Sequence, residues 1–169
     1  MTSSFFRSSI LLAGLLCLVH GSAFAASEDS KAKGDRLLLE QKPEAALREY
    51  EKALEAHPDS TAVLFNMAIA FYSEGKIQEA ISALEKAAAL NPGDVEAGYN
   101  LGCLWLEMGD IAKAELLFKE AALHCPEDSE FYPRLADGLG LIEELKETNP
   151  SAQDLLSLVS KHGFPARNV

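Results

Sequence analysis

The stretch TAVLFNMAIAFYSEGKIQEAISALEKAAALNP, residues 61–92, carries two apolar stripes separated by a glycine turn, and its reading decides the fold. Val63, Leu64, Met67, Ala68 and Phe71 recur at helical intervals, as do Ile77, Ala80, Ile81, Leu84 and Ala87. Between them Gly75-Lys76 closes the first helix, because glycine readily takes the left-handed conformation that ends one. Small residues let two antiparallel backbones approach, and bulky ones such as Phe71 fill the space beside them. Asn91-Pro92-Gly93-Asp94 then reads as a loop. The stretch is a helix–turn–helix unit.

The unit recurs. Pro58, Pro92 and Pro126 stand 34 residues apart, in step with Ala46, Ala80 and Ala114, with Tyr50, Leu84 and Phe118, with Ala53, Ala87 and Ala121, and with Gly34, Ala68 and Gly102. A fixed period of this length marks a solenoid, in which each unit buries its apolar faces against its neighbours. Downstream, Tyr99, Leu101, Gly102 and Trp105 are followed by Gly109-Asp110 and then by Ile111, Ala114, Leu117, Phe118 and Ala121. Upstream, the opening helix, Glu28 to Glu40, is polar, with Ser30 and Lys33 where later units have Leu64, Met67 and Leu101. A terminal unit needs such a face because nothing stacks on it. Gln41-Lys42-Pro43 makes its turn, and Pro43 suits the first turn of the next helix, Glu44–His57, where its missing N–H has no partner to lose.

Over residues 27–128 these positions resemble the tetratricopeptide repeat family. The resemblance implies an all-α, right-handed helix–turn–helix solenoid with repeats at 26–60, 61–94 and 95–128. Beyond Pro126 the period stops, yet Phe131, Leu135, Leu139, Ile142 and Leu145 keep a helical stripe, which predicts a capping helix over 129–148. Gly138 and Gly140 are expected to weaken it by about 1 kcal/mol each relative to alanine. Asn149-Pro150 has the form of a helix start, so 149–169 are expected to hold a last helix, stopped by Gly163 and Pro165, and a tail.

The N-terminal residues carry Arg7, the apolar run Ile10–Val19 and Ala23-Phe24-Ala25, the order of a secretory signal over residues 1–25 with cleavage after Ala25. A bilayer span needs about 20 apolar residues, more than this run supplies. Left uncleaved, the segment would instead anchor the chain. Leu16 before Cys17 does not fit a lipoprotein site. The sequence expectation is export to a bacterial periplasm.

The 169-residue chain has a net charge of −11, and loss of residues 1–25 removes Arg7 and no acid. Such acidity argues against nucleic acid, whose phosphates it would repel, and suits a basic partner or simple solubility. Two cysteines follow the signal, Cys103 and Cys125. The inferred helices place them too far apart to bridge, so both are expected as free thiols.

By the family resemblance, ligand-facing side chains come from the first helix of each pair and line a concave groove. Carried residue by residue, these are Lys31, Asp35 and Leu38, then Phe65, Ile69 and Tyr72, then Tyr99, Cys103 and Leu106, with Glu96 and Glu107 nearby. Such a groove suits an extended or helical peptide with apolar anchors and a basic flank. The opposing expectation is that Phe65, Tyr72 and Tyr99 pack between neighbours or under the C-terminal helices. Some family members grip a C-terminal carboxylate with lysines, an arginine and asparagines in this groove. Lys31 and Asn66 match that pattern, but Asp35 and Glu96 stand where it has an asparagine and a lysine, and Asn100 where it has the arginine. Two carboxylates facing a carboxylate ligand would repel it.

No catalytic or metal constellation emerges. His57 and His124 fall at the ends of second helices and His162 in the tail, and the cysteines make no zinc pattern. Glu143-Glu144 reads as a solvated helix face, and there is no phosphate-binding glycine loop, GxSxG or HExxH. The expected function is a non-enzymatic, cofactor-free interaction module of the cell envelope that binds a protein or peptide in its groove. A self-associating assembly subunit and a chaperone-like holder of an exported protein are the other two expectations.

Overall fold

The computed structural model describes residues 26–148 together with Ser157; the expected signal segment and last helix lie outside the described residues. Among the described residues all regular structure is helical: α1 (26–39), α2 (Pro43–Ala56), α3 (Thr61–Ser73), α4 (Ile77–Leu90), α5 (Val95–Glu107), α6 (Ile111–His124) and α7 (Phe131–Thr148). The helices pair as α1 with α2, through Gly34 against Tyr50, Ser27 to Ala53 and Lys33 to Glu49, then α3 with α4 and α5 with α6, and each pair stacks on the next.

Each turn inside a pair places one residue in the left-handed region: Gln41 at φ 57°, Gly75 at 73° and Gly109 at 81°. These three are one period apart. Glutamine tolerates the conformation less readily than glycine, and Pro43, pre-set for the first helical turn, follows two residues on, after the N-cap Lys42. Asp94 and Asp110 cap α5 and α6, their carboxylates accepting from the backbone N–H of Ala97 and Lys113, both at 3.0 Å.

The core is a chain of three linked clusters. Tyr50, Ala46, Ala53, Val63 and Met67 join α2 to α3; Ala68, Ala80, Leu84, Leu101 and Leu104 join α3, α4 and α5; Phe118, Ala121, Leu135, Leu141, Ile142 and Leu145 join α6 to α7. The glycines of the period are explained by ring packing. A Cβ on Gly34 would lie 2.5 Å from the Tyr50 ring, and one on Gly102 would run into Phe118. To the expected helix-propensity cost of Gly138 the structure adds a reason for it, because a Cβ there would stand 2.8 Å from the other side of Phe118. Phe118 is thus held between two glycines, one from α5 and one from α7, and Gly138 trades helix propensity for close approach. Gly140 has open space around it.

The polar first helix is satisfied by its own pairs. Lys33 reaches the largely buried Glu49 at 2.8 Å, Lys52 reaches the same oxygen at 2.9 Å, and the buried Ser27 hydroxyl donates to the Ala53 carbonyl at 3.0 Å.

Candidate protein-docking face

The first helix of each pair presents one face, and polar groups link α1, α3 and α5 along it. Asp35 is the hub at the α1 end. Its Oδ1 accepts from Tyr50 OH at 2.9 Å and from Asn66 Nδ2 at 2.7 Å, and its Oδ2 accepts from Lys31 Nζ at 2.7 Å. Burial pushes the Asp35 carboxyl up, but the hydrogen bonds from Lys31, Tyr50 and Asn66 outweigh it and hold the group below its usual range. The same position acts oppositely on its partner: burial, then the bond and charge of Asp35, push the Tyr50 phenol up, so it stays a donor. Next along the face, Tyr72 OH donates to Glu107 Oε2 at 3.0 Å and joins α3 to α5. Asn100 turns back along its own helix to the Glu96 carbonyl at 2.8 Å.

Lys31, Asp35, Phe65, Ile69, Tyr72 and Glu107 are half-buried and Glu96 is exposed, so these positions reach solvent together. Tyr99, Cys103 and Leu106 do not. They are 4%, 0% and 0% exposed and share a core cluster with Leu135, Leu141, Ile142 and Leu145 of α7. The Tyr99 ring lies 5.7 Å from Phe118 and 5.7 Å from Phe131, stacked on the first and edge-on to the second. These three residues are therefore corrected from open groove to core, because α7 covers the face of α5. Leu38, 8% exposed, is likewise core.

Burial pushes the Cys103 thiol up, so at neutral pH it stays protonated. Cys103 and Cys125 are unpaired. At the rim Glu96 is exposed as a residue, but its carboxyl is partly shielded from water; that desolvation, then the charges of Asp94 and Glu130, push it up against the pull of Arg134. Lys31 is paired with Asp35, Glu107 already accepts from Tyr72, and Glu96 stands beside Asp94, Glu130 and Arg134, so the rim is acidic on balance. Among the described residues no three histidine, cysteine or acidic side chains gather as a metal site, and no helix is long and apolar enough to cross a membrane.

One residue here escaped the sequence reading as a site member. Tyr50 belongs to a second helix and looked like core alone; it is fully buried, yet its hydroxyl donates to Asp35 from below the face. The signal was available in the period: the equivalent positions are Leu84 and Phe118, so only the first pair carries a hydroxyl there.

Stacked helix pairs displaying their first helices on one face define a helical-repeat scaffold. The chain belongs to the tetratricopeptide repeat family, whose models match residues 31–95 and 71–137. Among solved structures, the crystal structure of MamA is 23% identical, with a TM-score of 0.66 over 80% of this chain and 77% of that one. The Yersinia enterocolitica type III secretion chaperone SycD, in complex with a peptide of the translocator YopD, is 16% identical, at 0.66 over 70% and 93%. The first repeat domain of Spaghetti (RPAP3), bound to the HSP90 peptide SRMEEVD, is 19% identical, at 0.66 over 73% and 95%. At these identities the likeness is one of fold. No curated protein matches the sequence.

Proposed function

We propose that this protein is a non-enzymatic interaction module whose α1–α3 face, bounded by α5, docks a peptide segment of a partner protein. Tetratricopeptide repeats are protein-binding modules, and fold neighbours hold peptides of HSP90 and of YopD. The observation that carries the reading is the contrast along one face. Phe65, Ile69 and Tyr72 reach solvent, whereas the residues one period later, Tyr99, Cys103 and Leu106, are sealed under α7. Apolar anchors of the partner pack against Phe65, Ile69 and Tyr72, and a lysine or arginine sits at Glu96 and Glu107. The residue order in 1–25 supports export and action in the cell envelope.

The test is capture of partners by the mature protein from envelope extracts, in parallel with Phe65→Ala/Ile69→Ala. A partner retained by the wild type and lost by a still-helical variant supports the groove. A partner kept by both removes it. Charge reversal at Glu96 and Glu107 should weaken that partner and flatten the salt dependence of its binding; unchanged affinity at controlled ionic strength would sink the basic-flank idea.

A second reading, self-association as an assembly subunit, is favoured by the outer side of α6. Leu116 and Leu123 are 66% and 83% exposed, where the first pair has Arg48 and Glu55. A mass by light scattering that stays monomeric at high concentration would dispose of it.

A further inference from the structure

We infer that Asp35 is the specificity-determining residue of the docking face: its own carboxylate fills a three-donor site, so the groove rejects ligands that bring a carboxylate there and accepts neutral or basic ones. The inference rests on the docking reading above. The donors come from three helices, Lys31 from α1, Tyr50 from α2 and Asn66 from α3, and they share both carboxylate oxygens between them. Two of them are placed independently of the acid, while Lys31 reaches it from one turn away on the same helix. Tyr50 is fully buried with its ring against Gly34, and Asn66 sits in the middle of α3. The site nevertheless opens to solvent, since the side chains of Lys31 and Asp35 keep 26% and 34% of their accessibility.

Two positioned neutral donors and a lysine beside them make a carboxylate-binding site. The chain fills that site from within. An incoming carboxylate would meet Asp35 at contact distance and would compete with a group tethered at high effective concentration. The counterparts of Asp35 one and two periods on are Ile69 and Cys103, so this acid belongs to one end of the face and not to the repeat as such.

The test uses small carboxylates on the full mature protein and so needs no partner. Acetate is titrated against chloride at constant ionic strength, reading the thermal midpoint and the side-chain amide signal of Asn66. The wild type should respond equally to both salts. Asp35→Ala should melt lower and regain several degrees with acetate alone, with a saturable shift of the Asn66 signal. Asp35→Ala/Asn66→Ala should lose that regain. A folded Asp35→Ala with no carboxylate-specific response overturns the inference, as does a wild type whose Asn66 signal moves with acetate.

Should Asp35→Ala not fold, Asp35→Asn keeps the volume and removes the charge. With a peptide that binds the face, it should raise the preference for a free C-terminal carboxylate over the amidated form by about tenfold relative to wild type. No change in that ratio overturns the inference. A purely structural Asp35 would alter the melting point without altering either preference. Failure of the docking reading would leave the acetate result standing, so the two are separable.

Discussion

The α1–α3 end and the α5 end of the same face occupy equivalent positions of the repeat and have opposite fates. Lys31, Phe65 and Tyr99 are one period apart, as are Asp35, Ile69 and Cys103, and the drift runs from charged to apolar along the solenoid. At the first end a carboxylate sits among three donors and the side chains reach water. At the other, Cys103 and Leu106 are wholly buried under α7. A repeat therefore fixes where a side chain points, while its neighbour decides whether that direction is surface or core.

The comparison can be broken most forcefully at Phe118, which is fully buried between Gly102 and Gly138. Phe118→Ala should cost about 3–5 kcal/mol by urea denaturation, and a loss under 1 kcal/mol would mean that α7 is not packed as described. Ile142→Ala, also fully buried, should cost about 2–4 kcal/mol. It should loosen α7 first, seen as faster alkylation of Cys103 by mass spectrometry, with the half-buried Cys125 as internal reference. Equal protection of Cys103 in variant and wild type would contradict the covering role of α7.

At the open end the effects are smaller. The Asp35 carboxyl lies lower in the folded than in the unfolded chain. Its contribution is therefore complete above the unfolded value of about 3.8 and is lost as pH falls through the folded one. Melting midpoints of wild type and Asp35→Asn should converge as pH drops through that window; a constant gap would mean that the carboxylate is not held there. Smallest is Tyr72→Phe, which removes the bond to Glu107 and should cost about 0.5–1.5 kcal/mol without loss of helicity. A larger loss would make Tyr72 core, like Tyr99.

Much of the fold was legible because its cause is local and repeated. The apolar stripes of α3 to α6, the turn glycines Gly75 and Gly109, and the small residues Gly34 and Gly102 beneath Tyr50 and Phe118 all follow from one period. The exposed part of the first-helix face, where docking is proposed, was legible only in part. The period assigns Tyr99, Cys103 and Leu106 the same direction as Lys31, Asp35 and Leu38, but it is silent on α7, which lies outside the repeat. Composition did not separate them either, since Phe65 and Ile69 replace the same charged residues of the first pair and still reach solvent. Gly138 was equally opaque, since it stands two residues out of phase with Gly102 and shows its purpose only against the second side of the Phe118 ring.

The most direct measurement is site-specific photo-crosslinking in the cells that make the protein. A photoreactive phenylalanine analogue replaces Phe65 in one strain and Leu116, on the outer side of α6, in another. The account predicts a discrete protein adduct from position 65 that disappears with Ile69→Ala, and none from position 116. An adduct from 116 alone would move the working surface to the outer side of α6 and contradict the proposed docking face.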